Sequence, residues 1–465
     1  MTYPDALSYL GQTRRFGMKL GLEPMRELAR ALGDPHEKLR FIHLAGTNGK
    51  GSTAAFCESC LRAAGFRVGL YTSPHLVSVR ERIQIDRQLI SEVDFAEGMG
   101  IIRQAIESMK DPATTFFEIT TALALWYFAR KKVDWVVWET GLGGRLDATN
   151  IVTPEICIIT NIGLDHQQYL GQTLAEIAAE KAGIIKPGVP VVSCVVEEAA
   201  KIIEWRAKSL QCEFISVAND VDGEHCRIME GKQLACIGHR IFRLGLLGMH
   251  QAFNAACATA AIEHLEHIRC CSNRSGDPAL VLHDPGPPGG WTHFNSIWSG
   301  LEDTRWPGRF EILSEKPLIV LDGAHNPAAV KMLVSTWRAF LAARYGWSEH
   351  EIKSRARLVF ASVADKDISE MARLLGPLAR EVSLVRLANE RSAEPAQLAP
   401  FFTGLPCACY DSVSALWQDL VSADAESVTL VTGSLFLVGE LLAQRQGNAE
   451  EYRLNERLEN FTPVR

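Results

Sequence analysis

The sequence has no long uninterrupted apolar run. Its most apolar late stretch, Val428 to Leu442, is broken by Thr432, Gly433, Ser434 and Glu440 and is too short to span a bilayer. The N-terminal MTYPDALSYLGQTRRFG lacks the basic-then-apolar order of a signal peptide, so a cytoplasmic protein with no membrane partner is expected. Basic charge is not in excess either: 48 Lys and Arg stand against 55 Asp and Glu, a net charge of −7. That balance argues against a general nucleic-acid or membrane-surface binder, and any anionic substrate must be met by a local site. A second C-x-x-C is also missing. Cys57 and Cys60 form a lone pair without the partners a zinc site needs. His264, His267, Cys270 and Cys271 cluster more suggestively, but the twelve cysteines are scattered through apolar or helical patterns and read as small hydrophobes. No internal repeat or heptad run is present.

What is there is an ordinary globular composition, 47% hydrophobic and 22% charged over 465 residues, which is too long for one comfortable core. From Phe41 onward, strand-like and helix-like segments alternate: strands over 41–45, 67–71, 133–138, 155–160 and 189–194, helices over 53–64, 91–107, 116–131 and 173–182. Such alternation predicts a parallel sheet covered on both faces. Residues 212–244 break the pattern with short strand-like pieces that suggest an antiparallel excursion. SNRSGDPALVLHDPGPPGG, 272–290, reads as a surface insertion. A helix over 294–303 follows, and then a second alternation: strands 317–321, 357–361, 381–387 and 428–432, helices 327–343, 367–379, 411–422 and 434–443. The domain boundary is expected near Arg305 to Pro307, giving domains of 1–305 and 306–465.

The chemistry begins at HLAGTNGKGSTAAF, His43 to Phe56, where a strand, a glycine-rich turn and a helix follow one another. A helix N-terminus offers unpaired N–H groups and partial positive charge, and Gly46, Gly49 and Gly51 let a phosphate approach them. Lys50 adds a point charge, and Ser52 or Thr53 a hydroxyl for magnesium. The strict pattern G-x-x-x-x-G-K-[ST] is not met, because Gly51 separates the lysine from the hydroxyl. An ordinary strand-to-helix turn would need the glycines but not the lysine and hydroxyls, so phosphate binding is the better reading.

Three further strand ends carry polar loops. Glu139 ends the apolar run VVWE and is followed by GLGGRLDATN, with Asp147 and Asn150 as nearby candidates. Asp165 and His166 follow ICIIT, and Thr72 and Ser73 follow another strand. In open α/β sheets ligands bind at the carboxyl ends of strands, which places these groups beside the glycine loop. In the second half, IVLDGAHNPAAV brings Asp322, His325 and Asn326 to a strand end, with Arg309 just upstream. Asn326 also suits a helix N-cap, with Pro327 at the first helical position. Lys181, in the last turn of a helix, has no special role by pattern alone.

GTNGKGS, TSPHL, ERI, FFEITTALAL, ETGLGGRLDATN, LDH, EKAGIIK, HQAFNAACA, WPGRFE, DGAHNP and VTGS, in this order, resemble the motifs of the folylpolyglutamate synthase/dihydrofolate synthase family of Mur ligases. The resemblance covers about Leu20 to Gly439, and the extra glycine after the lysine is typical of the family's loop. It implies an α/β fold: a Mur-ligase-like P-loop ATPase domain with a mainly parallel sheet, and a smaller Rossmann-like α/β C-terminal domain that acts as the glutamate ligase domain. It also implies a three-step chemistry in which a substrate carboxylate attacks ATP, an acyl phosphate forms, and the amine of L-glutamate displaces phosphate.

By the same resemblance ATP lies on Gly46, Thr47, Asn48, Gly49, Lys50, Gly51 and Ser52, with contacts from Asn254, Arg309 and Asp322. Magnesium, expected as two ions, is held by Ser73, Glu139 and His166. Lys181 is carbamylated and places the second ion, and a monovalent cation is a further expected cofactor. Lys50, Lys181, Asp322 and His325 carry the catalytic roles. His325 and Ser434 lie on the glutamate side, and the pterin-bearing substrate meets Gly17 to Leu20 and Thr115, Phe116, Phe117 and Glu118. The implied substrates are ATP, L-glutamate and dihydropteroate or a folate, with both activities in one chain expected, and a monomer is the family's habit. Departures are Thr72, where serine is common, and the length of 272–290. A nucleotide-driven switch would leave the DGAHNP half unexplained, and a non-catalytic binding module would not be expected to keep Lys50, Glu139 and His166. Within the ligases, a muramyl-peptide ligase is the alternative.

Overall fold

The computed structural model describes residues 1–13, 21–110, 114–275, 293–449, 451–452 and 455, with side chains omitted for 266–275 and 293–296. Of the expected insertion 272–290, residues 272–275 continue the helix Met249–Ser275, while 276–290, the stretch Gly17 to Leu20, and the side chains of His267, Cys270 and Cys271 lie outside what is described.

An eight-stranded sheet runs, in spatial order, through Gln88–Leu89, Ile83–Ile85, Val68–Tyr71, Trp135–Glu139, Phe41–Ala45, Ile156–Ile159, Val191–Ser193 and Phe214–Ser216. The six strands from Val68–Tyr71 onward are parallel to their neighbours, and the first two pair antiparallel at one edge. Strand Phe41–Ala45 sits between Trp135–Glu139 and Ile156–Ile159; the chain leaves it toward Val68–Tyr71 on one side and, after Trp135–Glu139, crosses to Ile156–Ile159 on the other. That is a topological switch point, and a crevice opens beyond its carboxyl end. The interior strands read as unbroken apolar runs because both faces are covered: Trp135, Val136, Val137 and Trp138 are all fully buried.

One face packs on helices Glu92–Glu107 and Phe116–Lys131, and the other on Lys50–Ala63 and Met249–Ser275. The second of these cores absorbs Cys57 and Cys60, consistent with thiols as small hydrophobes. His264, the one member of the His/Cys cluster with a described side chain, lies 3.9 Å from the carboxylate of Glu213. The excursion expected over 212–244 resolves into two parts. Phe214–Ser216 extends the large sheet in parallel, while Val221–Met229, Lys232–Ile237 and Arg240–Leu244 form a separate antiparallel sheet.

A six-stranded sheet follows: Glu311–Glu315, Leu318–Leu321, Val428–Thr432, Ala356–Phe360, Glu381–Val385 and Cys407–Tyr410, parallel except for its first strand. Helix starts follow their local signals. Asn326 accepts the Ala329 N–H with Pro327 at the first position, and Thr173 forms a capping box with Glu176. The helix after the glycine loop begins at Lys50 rather than the expected residue 53, because Gly49 at φ 85° ends the turn and caps it.

Candidate active site

The glycine loop is fastened to the loop after strand Ile156–Ile159. The Thr47 hydroxyl donates to the Gly163 carbonyl (3.1 Å), the Asn48 N–H donates to Asn161 Oδ1 (2.7 Å), and the Thr160 hydroxyl donates to the Asn48 carbonyl (2.7 Å). Helix Met249–Ser275 closes the other side. A β-carbon on Gly49 would collide with the Asn254 amide, and Gln251 donates to the Ser52 hydroxyl at 3.4 Å. Thr53, the other hydroxyl considered for magnesium, is buried inside the helix packing.

Lys50 folds back over its own loop, donating to the carbonyls of Gly46 (3.0 Å) and Thr47 (3.3 Å). Lys181 donates to the same Gly46 carbonyl at 2.9 Å and is only 3% exposed. Pattern alone gives Lys181 no special role, and the helix Leu174–Lys181 ends by aiming this amine at the glycine loop. Burial, reinforced by the Lys50 charge, lowers its pKa from 10.5 to about 7.

Glu139 is buried at its strand end and accepts the Ser73 N–H at 3.0 Å. Burial raises its pKa to about 6, against the pull of Lys50, the Ser73 N–H, Arg309 and Arg82. Asp147 and Asn150 do not join it. Asp147 accepts from the Leu142 N–H (2.7 Å) and from Thr149 (N–H 3.0 Å, hydroxyl 2.5 Å), and Asn150 donates to the Arg145 and Gly183 carbonyls at 3.0 and 3.1 Å. Both shape the GLGGRLDATN loop. His166 is half-exposed and in a left-handed conformation, and partial burial with nearby Lys366, Lys50 and Lys181 lowers its pKa.

The second sheet presents its strand ends to the same crevice. Asp322 is buried, receives the Phe310 and Ala324 N–H groups at 2.9 Å each, and is raised in pKa by burial against the pull of Arg309. His325 shares Nδ1 with the Gly323 carbonyl at 3.0 Å, which makes Nδ1 the donor and leaves Nε2 as an acceptor. Burial and then Lys366 lower its pKa to about 4. Direct contacts cross the cleft: Asn326 donates to Asn48 at 3.3 Å, and Lys366 pairs with Asp165 at 3.3 Å. Burial pushes Asp165 up, but His166, Lys366 and His325 together bring it below the ordinary carboxylate range.

Sequence reasoning missed Lys366, in ASVADKD after strand Ala356–Phe360, although its position at a strand end was a usable signal. Ser434 caps helix Leu435–Gln446 by accepting the Phe436 N–H at 3.1 Å, beside Gly433, which donates to the Ala324 carbonyl. Thr115 and Glu118 form a capping box at the start of Phe116–Lys131. Phe116 is buried under Arg82, and the Phe117 ring packs against Gly141 in the loop after Glu139.

The site is thus a charged crevice, with Lys50, Arg309, Lys366 and the buried amine of Lys181 around Glu139, Asp165 and Asp322, on a chain that is acidic overall. Among the described residues no three His, Cys, Asp or Glu side chains are grouped to hold a metal alone. A magnesium ion fits nonetheless, because it is commonly bound through one carboxylate plus phosphate oxygens and water.

Residues 44–262 match the Mur ligase middle domain, and 308–435 match the Mur ligase glutamate ligase domain. The dihydrofolate synthase/folylpolyglutamate synthase of Bacillus subtilis is 34% identical over 459 residues, spanning 94% of this chain and 98% of the relative. The chain belongs to this family of Mur ligases. Among solved structures, Escherichia coli FolC in complex with DHPP and ADP superposes with a TM-score of 0.79 at 30% identity, covering 96% of this chain and 98% of that one. The bifunctional enzyme of Yersinia pestis, complexed with AMPPNP and a manganese ion, gives 0.77 at 29% identity, covering 96% and 98%. The mixed α/β fold with two parallel-type sheets is that of these Mur-type ligases. No described helix is long and apolar enough to cross a membrane.

Proposed function

We propose that the chain is an ATP-dependent ligase that adds L-glutamate both to dihydropteroate and to the γ-carboxylate of reduced folates. The observation that carries this reading is the pairing of two half-sites: a phosphate loop on one sheet, and Asp322, His325 and Lys366 on the other, linked by Asn48–Asn326 and Asp165–Lys366. The relatives named for these activities match over nearly the whole chain.

In this reading the loop N–H groups and Lys50 receive the outer phosphates of ATP, and the N–H groups aim at charge that develops as the γ-phosphoryl transfers. Asn254, Arg309 and Asp322 contact the nucleotide. Ser73, Glu139 and His166 would hold magnesium, which when bound neutralises phosphate charge as the substrate carboxylate approaches. The carboxylate attacks the γ-phosphorus and ADP leaves, giving an acyl phosphate. The glutamate amine then attacks the acyl carbon, phosphate departs, and the amide forms.

Lys366 is a cation suited to a glutamate carboxylate, and neutral His325 offers Nε2 as an acceptor to the incoming amine. Ser434 lies on this side. Thr115, Phe116, Phe117 and Glu118 edge the pterin side, where Phe117 supplies an aromatic face beside Gly141. Lys181, held as a neutral amine near pH 7, is placed to form a carbamate and serve a second magnesium ion; a monovalent cation completes the set. The protein is taken as a cytoplasmic monomer of two domains, 1–305 and 306–465.

The test is ADP release with dihydropteroate and with tetrahydrofolate, each supplied with L-glutamate and magnesium. Turnover with both is expected. Turnover with tetrahydrofolate alone would remove the dihydrofolate synthase activity, and turnover with neither would sink the reading.

A further inference from the structure

One buried amide holds two of the residues beside the glycine loop. Gln251, 1% exposed, stands in the first turn of helix Met249–Ser275. The chain reaches it through Gly248, at φ 113°, whose N–H donates to Gln233 Oε1 at 3.0 Å. A β-carbon on Gly248 would lie 2.6 Å from both the His250 ring and the Thr336 hydroxyl of helix Pro327–Tyr345, so this turn needs glycine. The fixed entry sets the Gln251 side chain between the glycine loop and Asn254, one turn further along the same helix face. Its Oε1 accepts from Asn254 Nδ2 at 2.9 Å, and its Nε2 donates to the Ser52 hydroxyl at 3.4 Å and to His250 Nε2 at 3.1 Å. His250 accepts because it is neutral: burial, then the Arg309 charge, lowers its pKa to about 4. Both amide hydrogens and the amide oxygen of Gln251 are thus committed.

We propose that Gln251 is a positioning residue for ATP, setting the direction of the Ser52 hydroxyl and of the Asn254 amide together. Ser52 receives a hydrogen from Gln251, so its own O–H is left to donate, and the phosphate oxygens of a nucleotide on the loop are the acceptors it meets. Asn254 gives one Nδ2 hydrogen to Gln251, which fixes the plane of its amide. Its Oδ1 then lies against Gly49, where a β-carbon would stand 2.4 Å from it. A half-turn of the Gln251 amide would set donor against donor at Asn254, and burial keeps out the water that could relieve the mismatch. Gln251 is buried behind both residues and acts through them.

This role rests on ATP occupying the loop, as the ligase reading above has it. Gln251→Met keeps the length of the side chain and removes its hydrogen bonds to Ser52, His250 and Asn254. Gln251→Glu keeps the size and the acceptor for Asn254 but draws the Ser52 hydrogen onto a carboxylate, and it carries the test if Gln251→Met does not fold. The Kd for ATP is measured by titration calorimetry with magnesium present, and the KM values for ATP and L-glutamate from initial rates. Both variants are expected to raise the Kd and KM for ATP about tenfold, the scale of a lost hydrogen bond or two. The kcat should stay within about threefold of wild type and the KM for L-glutamate should not move, as for a loss of ATP binding alone. Asn254→Ala should absorb most of the Gln251→Met effect on the Kd, and Ser52→Ala most of the Gln251→Glu effect. A wild-type chain that does not bind ATP overturns the ligase reading and this role with it. Wild-type binding with the Kd unaltered in the variants overturns the role of Gln251 alone, as does a loss that adds fully to Asn254→Ala and Ser52→Ala or that raises both KM values together.

Discussion

Gly51 and Trp306 lie in contact: a β-carbon on Gly51 would stand 3.0 Å from the indole Nε1 and 3.3 Å from two ring carbons. Trp306 belongs to the segment joining the two halves, and Arg87 stacks on it at 5.0 Å while donating to the neighbouring Arg305 carbonyl. The joining segment therefore crowds the position after the lysine, beside whatever the phosphate asks of it. Gly51→Ala must displace a held indole, an overpacking cost of about 1–3 kcal/mol. Urea denaturation is expected to show that loss together with a raised KM for ATP. The Gly51→Ala/Trp306→Ala double variant should recover part of the stability, and a strictly additive double variant would disprove the coupling.

Lys50→Ala removes a point charge from a loop whose backbone is held independently by Thr47, Asn48 and Thr160. The fold should persist, with thermal unfolding close to wild type, while ligation falls by about 100-fold or more. Initial rates of ADP release measure this. A variant with near wild-type turnover would remove Lys50 from the phosphate site.

His43 gives the pH dependence of stability. It lies fully buried in the strand leading to the glycine loop, with Nε2 3.1 Å from the Thr149 hydroxyl. Burial, then the Lys186 charge, lowers its pKa from 6.5 to about 3. Between those values the unfolded chain binds a proton that the folded chain refuses, so stability rises with pH across the window and is lost on acidification. The slope from one such group is at most about 1.4 kcal/mol per pH unit. His43→Gln, which keeps a donor for Thr149, should flatten the urea-derived stability curve between about pH 4 and 6. An unchanged curve would assign the acid sensitivity to His250 and His325, which burial also lowers to about 4.

The large features were legible because they rest on local rules. Apolar runs such as WVVW and ICIIT could only be buried parallel strands, and Glu139 and Asp322 stood out as carboxylates ending them. The amphipathic helix Glu197–Ser209 lay between two strand signals and was passed over. Strand Glu311–Glu315 is an edge strand with a bulge and half-buried residues, so it has no clean alternation. What local pattern could not carry is which side chains meet across the chain. Lys366 acquires meaning only from Asp165, 201 positions away, and Lys181 only from the carbonyl of Gly46. The resemblance implies a functional Lys181; the structure adds that its amine is buried and donates to the Gly46 carbonyl.

Lys181 also supplies the sharpest test of the second-metal proposal. An ammonium beside magnesium repels it, whereas a carbamate offers two oxygens to a hard cation. Carbamate formation consumes a neutral amine, and the amine here is neutral above about pH 7 because burial and Lys50 disfavour its charged form. Activity should therefore decline as pH falls through about 7, and added bicarbonate should move that limb toward lower pH. Lys181→Ala should lose most ligation, with part of it restored by acetate acting as a diffusible carboxylate. A purely structural amine, holding only the Gly46 carbonyl, predicts something different: Lys181→Ala lowers stability by about 1 kcal/mol for the lost hydrogen bond, and neither bicarbonate nor acetate changes the rate. A fully active Lys181→Ala enzyme, indifferent to both additives, would decide for the structural role.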